Sequence, residues 1–243
     1  MRPIHKLSIV IPFYNEEASL EGVVRSCLLL KGPLKGGDGA PPLQLAEEVE
    51  LVLVDDHSTD ASPAIAQRLG QEFPEIKLVR HEVNKGIGES LKTGYANATG
   101  EWISIVPADG QFDPMDLLPC AGLTEEADII CVCRKGRGDV TFYRRFISGA
   151  NRWLNRILFG LDVRDINWVK LYRAWTVHDI RVRSTSPFVE SERLVLAKKA
   201  GARITQFDAP HAARTTGKEK GARFRTVFRS IIDLLSFAVR YRL

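Results

Sequence analysis

The chain has 243 residues, 44% of them hydrophobic and 26% charged, enough for one substantial core and too short for several independent ones. No apolar run approaches the roughly 20 residues that cross a bilayer, and the apolar stretch Leu7 to Phe13 is too short for a secretory leader. The formal net charge of +4 conceals an asymmetry: residues 1–133 carry 10 Lys and Arg against 21 Asp and Glu, residues 134–243 carry 24 against 9, so an acidic half suited to a cation precedes a basic half suited to anions.

In chain order, "LSIVIP" (7–12) is an apolar run ending in Pro and predicts a first, buried strand. "NEEASLEGVVRSCLLL" has apolar residues at helical spacing and acids in its first turn, where the helix dipole favours them. "KGPLKGGDGAPP" is a Gly/Pro-rich surface insertion. A second strand is expected at 49–54. The crossover helix "STDASPAIAQRLGQEF" follows, with Ser58 or Thr59 as its cap. Strands at 76–81, 101–106 and 127–133 alternate with the helix "GESLKTGYANAT". Residues 141–159 form an amphipathic helix whose apolar stripe takes Phe142, Phe146, Ala150, Trp153 or Leu154, and Ile157 or Leu158. "INWVKLYR" (166–173) reads as strand or loop, and "ESERLVLAKKAG" as a helix ended by Gly201. The last stretch places Phe224, Val227, Phe228, Ile231, Leu234, Leu235 and Ala238 on one helical face, flanked by Arg225, Arg229 and Arg240.

Such alternation predicts an α/β fold with a mostly parallel sheet flanked by helices and ligands at the carboxyl ends of its strands. The polar signals converge there: Pro12, Tyr14, Asn15 and Glu16 after strand one, Asp55 and Asp56 after strand two, Asp109 after strand four. Asp109 can hold a divalent cation that bridges a diphosphate, with the Gln111 amide oxygen as a neutral ligand. Asp55 and Asp56 can accept hydrogen bonds from a base or ribose, or cap the next helix. Tyr14 can stack on a nucleobase or sit half-buried. The four cysteines lack zinc or disulfide spacing and read as reduced structural thiols.

"IVIPFYNEE", "VLVDDHSTD" and "NKGIGESLKTGYANATGEWISIVPADGQFDP" resemble the successive motifs of family 2 glycosyltransferases of the GT-A (Rossmann-like) fold. The nearest branch is the one of dolichol-phosphate mannose synthases and polyprenyl-phosphate glycosyltransferases. "DVRDINWVKLYRA" is similar to its D-x-x-S-G-F-R-x-Y-R stretch at Asp165, Asn167, Lys170 and Tyr172, and "RTTGKEK" to its R-x-x-G-x-S-K at Arg214, Gly217 and Lys220. The resemblance covers residues 5–225. It implies a transferase domain over 1–222 and a terminal amphipathic helix over 223–243. Pro12, Tyr14, Glu16, Val54, Asp55, Asp56, Lys85, Ala108, Asp109, Arg134 and Lys220 would bind the nucleotide-sugar. Arg144, Ser148, Lys170 and Arg214 would hold an acceptor phosphate, with Asp109, Arg144 and Arg214 catalytic and Asp109 and Gln111 on Mg²⁺ or Mn²⁺. Three single positions and one stretch depart from the pattern: Pro107 replaces a first Asp, Lys170 an Arg, Glu219 a Ser, and "INW" the Ser-Gly-Phe core.

Transfer to a hydroxyl needs a general base. Transfer to a lipid phosphate does not, since that acceptor is already an anion and needs cations to hold it. The basic second half therefore favours a lipid-phosphate acceptor, and the resemblance implies inverting transfer to a polyprenyl phosphate from a GDP- or UDP-sugar. The alternatives are a hydroxyl acceptor served by Glu190 or Glu192, and a non-catalytic nucleotide-sugar-binding protein, motivated by Pro107. No recognition motif supports nucleic-acid binding. The terminal helix would lie on a membrane surface, dock on a membrane partner subunit or pack on the domain. The resulting location is cytoplasmic, peripheral at the cytoplasmic membrane face.

Overall fold

A computed structural model describes residues 3–32, 44–135, 142–210 and 224–242. Its centre is β1 (Ile4–Phe13), paired in parallel with β2 (Ala46–Asp55) on one side and β4 (Trp102–Ile105) on the other. β3 (Ile76–Arg80) extends the sheet beyond β2. Beyond β4 lie β6 (Lys170–Arg173), β5 (Ile129–Lys135) and β7 (Ile204–Pro210), giving the order β3-β2-β1-β4-β6-β5-β7. β6 alone runs antiparallel to both its neighbours, so the sheet is mostly parallel, as expected. β7, over "ITQFDAP", escaped the sequence reading because its alternating polar residues hide an edge strand.

Both faces of the sheet are covered, which is why β1 and β2 read as continuous apolar runs. Ile9, Ile11, Leu51 and Leu53 face one core with α1 (Leu20–Leu28) and α2 (Ser62–Glu72). Val10, Val52 and Val54 face the other with α3 (Ile87–Asn97), α4 (Phe142–Phe159), α6 (Val189–Lys199) and α7 (Phe224–Arg242). A four-residue turn of helix, α5 (Trp175–His178), joins β6 to the loop before α6. From β1 the chain moves outward through β2 and β3, then returns to the other side of β1 at β4. That reversal opens a crevice at the carboxyl ends of β1 and β4, where the polar loops converge.

Two local expectations are corrected, in α2 and α7, and the open choice in α4 is decided. α2 starts later than the sequence predicted and Ser58 does not cap it: Ala61 is the cap residue and Asp60 Oδ1 accepts from Ser62 N at 3.0 Å. In α4, Leu154 and Leu158 pack on the core, whereas Trp153 and Ile157 are 61% and 60% exposed. In α7 the predicted single apolar face is split. Leu234 and Phe237 are buried, each burial stabilising by about 1.5–3 kcal/mol, while Phe228, Ile231 and Leu235 point outward.

Candidate active site

Tight turns after β1 and β2 shape one end of the crevice. After β1 the backbone turns through Asn15 at φ 54°, a left-handed conformation that Asn tolerates better than most residues. The freed N–H groups are met by the second loop: Asn15 N donates to Ser58 Oγ at 3.0 Å and Glu16 N to Ser62 Oγ at 2.8 Å. The loops after β1 and β2 are therefore one unit. With them, Pro12, Tyr14, Glu16, Asp56 and Lys85 line a cleft of about 480 Å³.

Asp56 is the best-determined carboxylate there. Its Oδ1 accepts from His81 Nδ1 and from Lys85 N, and its Oδ2 from Gly86 N, each at 2.8 Å. Gly86 sits at φ 87° and opens α3, which lets two successive N–H groups reach one carboxylate. Asp55 is turned away: it accepts from Ser58 N at 2.7 Å and pairs with Arg80 at 3.1 Å. Val54 is fully buried in the core beside Leu91 and Tyr95. Neither lies on the cleft wall, so the expectation that both contact the nucleotide is corrected to support of the β2 loop.

At the end of β4 the cleft is lined by Pro107, Ala108 and Asp109. Ser19 Oγ donates to Ala108 O at 2.7 Å, and Gln111 N donates to Asp109 Oδ1 at 3.1 Å across Gly110 at φ 72°. The turn thus presents one carboxylate to the cleft. Among the described residues no cluster of three His, Cys, Asp or Glu exists that could hold a metal by itself. One carboxylate fits a hard cation that takes most of its oxygens from a diphosphate and water. Asp109 would be the protein's ligand, and such a cation would neutralise diphosphate charge. Gln111 is not part of the described cleft wall.

The far wall carries a buried charge cluster. Glu190 lines the cleft, yet its carboxylate is occupied from behind: Oε1 accepts from Tyr95 OH at 3.0 Å, Oε2 from Tyr172 OH at 2.7 Å and from Lys170 Nζ at 3.0 Å. Burial alone pushes Glu190 up, but the Lys170 ammonium and the Arg193 guanidinium outweigh it and hold the carboxyl below its ordinary value. Lys170 has no exposed surface and also donates to Trp168 O at 2.9 Å. Its expected contact with an acceptor phosphate is corrected: a lysine this buried needs a counter-charge, and Glu190 supplies it. Arg134 is likewise committed, bonded to both oxygens of Asp165 at 2.7 and 2.8 Å and stacked 4.3 Å from the Trp168 ring. It braces Trp168, which lines the cleft, and is not itself on the described wall.

Glu192, the other candidate base, is 1% exposed and accepts from Arg183 N and Ser184 N at 3.1 and 2.8 Å. It organises the loop before α6. Ser148 is exposed on α4 and outside the described cleft wall. Arg144 lies on α4, but its side chain, like Arg214 and Lys220, falls outside the described residues.

The structure adds residues that the sequence reading missed. Asn84 donates to Asp56 O at 3.0 Å and lines the cleft with Ile87 and Ser90. Thr185, Ser186 and Pro187 line it from the loop before α6, and Thr226 and Arg229 from α7. For Asn84 a signal existed in its place beside Lys85; Thr226 and Arg229 belong to no motif, and only the packing of α7 brings them in.

The profile of "Glycosyl transferase family 2" matches residues 8–184. A dodecaprenyl-phosphate galacturonate synthase of Rhizobium johnstonii is 32% identical over 98% of this chain and 68% of its own length. An undecaprenyl-phosphate 4-deoxy-4-formamido-L-arabinose transferase of Enterobacter sp. is 26% identical over 92% of this chain and 65% of its own. The chain thus spans about two thirds of the length of these relatives. Among solved structures, a glucosyl-3-phosphoglycerate synthase of Mycobacterium tuberculosis, in complex with Mn²⁺, UDP-glucose and phosphoglyceric acid, superposes with a TM-score of 0.71. It does so over 97% of this chain and 80% of its own, at 19% identity. TarS of S. aureus with UDP-GlcNAc gives 0.58 over 89% and 60%, at 20% identity. The likeness at these identities is one of fold, and the fold is GT-A.

Proposed function

The chain belongs to glycosyl transferase family 2, and from that premise we propose that it moves a sugar, with inversion, from a nucleoside diphosphate to a polyprenyl phosphate. The observation that carries this reading is the state of Glu190. A hydroxyl acceptor requires a carboxylate free to take its proton. Glu190 faces the cleft but accepts three hydrogen bonds and is held below its ordinary pKa by Lys170 and Arg193, which makes it a poor base. Glu192 is consumed by two backbone N–H groups. A phosphate acceptor needs neither. The names of the two relatives, both polyprenyl-phosphate sugar transferases, support the same acceptor class.

For the donor, the geometry of Asp56 favours uracil over guanine. A carboxylate has about four lone-pair positions, and His81, Lys85 and Gly86 occupy three of those on Asp56. The remaining one suits the single N–H of a uracil edge; guanine offers N1–H and an amino group side by side. Asp109 would share a divalent cation, Mg²⁺ or Mn²⁺, with the donor diphosphate. The complexes of the M. tuberculosis neighbour with Mn²⁺ and UDP support such an arrangement.

The outer surface supports a peripheral site at a membrane, on its cytoplasmic face. Phe228, Ile231, Ile232, Leu235 and Val239 form an exposed apolar stripe along α7, with Trp153 and Ile157 exposed on α4. Among the described residues no helix is long and apolar enough to cross a membrane. Four buried thiols, none in a disulfide, fit a reducing compartment.

A radiolabelled transfer assay tests the reading: UDP-glucose, UDP-galacturonate and GDP-mannose, each with Mg²⁺ or Mn²⁺, against undecaprenyl phosphate in detergent. Organic-extractable label from a UDP-sugar, abolished by Asp109→Ala, is the expected result. Label from no donor, with nucleotide-sugar binding intact, would overturn it.

A further inference from the structure

With Lys170 and Arg134 both committed to buried partners and Lys85 held at the Asp56 end of the cleft, the opposite side of the described wall needs another cation to meet an anionic acceptor. α7 supplies one. Thr226 and Arg229 line the cleft from its first turns, and the helix is locked in register just beyond them. Asp233 Oδ2 accepts from Thr185 N at 3.1 Å and Ser186 N at 3.0 Å, and these two residues are themselves part of the cleft wall. One turn separates Asp233 from Arg229, so both lie on the same face of the helix. Further along that face Phe237 is buried and Arg240 approaches Glu192 at 3.6 Å. Thr226, Arg229, Asp233, Phe237 and Arg240 therefore share the stripe of α7 that faces the cleft and the core, with Arg229 itself exposed at the cleft mouth.

The outward stripe is apolar: Phe228 is 55% exposed, Ile231 50%, Leu235 58% and Val239 64%. α7 thus buries Leu234 and Phe237 against the protein beside its polar groups and still carries a second apolar stripe outward, more apolar surface than the packing of a surface helix requires. The two stripes meet at Phe228 and Arg229, adjacent residues on opposite sides of the boundary. An amphiphile with one anionic end and a long hydrocarbon tail matches both, its head at Arg229 inside the cleft and its tail along the outer stripe.

We infer that Arg229, carried into the cleft by α7 and registered by Asp233, is a binding residue for the phosphate of the acceptor. The inference rests on the proposed polyprenyl-phosphate reading and deepens it. A guanidinium suits this position, because it can bind two phosphate oxygens at once and stays charged at every working pH. Asp233 is a positioning residue: it touches no substrate and acts by fixing the angle at which α7 crosses the cleft mouth.

Steady-state transfer with full-length variants, varying undecaprenyl phosphate at saturating donor, tests this. Arg229→Gln is expected to raise the acceptor KM roughly tenfold or more, the size of one lost charge-assisted contact, with nucleotide-sugar Kd unchanged. Arg229→Lys should recover part of the loss, and Asp233→Asn, which keeps one acceptor oxygen, should lie closer to wild type than Asp233→Ala. An unchanged acceptor KM for Arg229→Gln, or an equal loss in donor affinity, overturns the inference while leaving the transferase reading intact. A wild-type protein that fails to glycosylate undecaprenyl phosphate overturns both.

Discussion

Glu190 decides most of the chemistry at the scale of single residues, and its partners make it testable. Lys170 and Glu190 are a buried pair with 0% and 5% side-chain exposure, and the pair also fixes the cleft wall through the bond from Lys170 to Trp168 O. Removing one partner strands the other charge in the core, so Lys170→Met alone should destabilise by about 3–5 kcal/mol. Replacing both, as Lys170→Met with Glu190→Gln, should recover most of that loss, a non-additivity readable in urea unfolding as a double-mutant cycle. The sign of the pH effect follows from the direction of the Glu190 shift. Its folded value lies below the ordinary 4.5, so its stabilisation is complete above the unfolded value and is lost as pH falls through the folded one. Wild type should therefore lose more stability than the double variant between pH 5 and acid conditions, measured by unfolding at stepped pH. The same cluster explains why the sequence misplaced Lys170. Its motif position was legible, but whether a lysine faces the cleft or the core depends on a glutamate twenty residues away.

Elements were legible wherever a period was strong. β1, β2 and the helices between them declare themselves because both sheet faces are buried and each crossover helix shows one apolar stripe. β7 was hidden because Thr205, Gln206 and Asp208 interrupt its pattern, and β6 stayed ambiguous because four residues carry no period. The convergence of three strand ends was readable, since alternation predicts a parallel sheet whose carboxyl ends share one edge. What the loops do after the strands was not, because two adjacent aspartates give no sign that Asp56 lines the cleft while Asp55 turns to Ser58 and Arg80. Packing between elements gives the next prediction. α3 crosses β1 at Gly94, where an added Cβ would overlap the Val10 side chain. Gly94→Ala should cost about 1–3 kcal/mol through overpacking, more than offsetting the better helix propensity of Ala. Since α3 begins at the two N–H groups that bind Asp56, the same variant should weaken nucleotide binding. Calorimetric Tm and UDP titration would check both; a Tm at or above wild type would show that β1 and α3 can separate without cost.

For the whole molecule, the acidic first half and basic second half map onto the two sides of one cleft. Asp56 and Asp109 come from the strand ends of the first half, Arg229 from the last helix, so on the proposed reading donor and acceptor would meet where the two halves join. The exposed stripe of α7 and the exposed Trp153 and Ile157 of α4 belong to the second half; on the proposed reading they form the membrane-facing surface, beside the end of the cleft that would take the acceptor. Membrane binding there would combine apolar burial with attraction of Arg residues to anionic headgroups. Ile231→Asp with Leu235→Asp should therefore abolish sedimentation with vesicles containing phosphatidylglycerol while leaving Tm near wild type, because both side chains are about half exposed or more. Raising salt should weaken wild-type binding only in part, since screening removes the charge contribution and spares the apolar one. Transfer to undecaprenyl phosphate in vesicles should fall with binding, whereas transfer in detergent micelles, where the acceptor arrives without a bilayer, should persist. Equal loss in both settings would show that the stripe serves the fold or the cleft directly, and would remove the membrane from the account of how this cleft finds its acceptor.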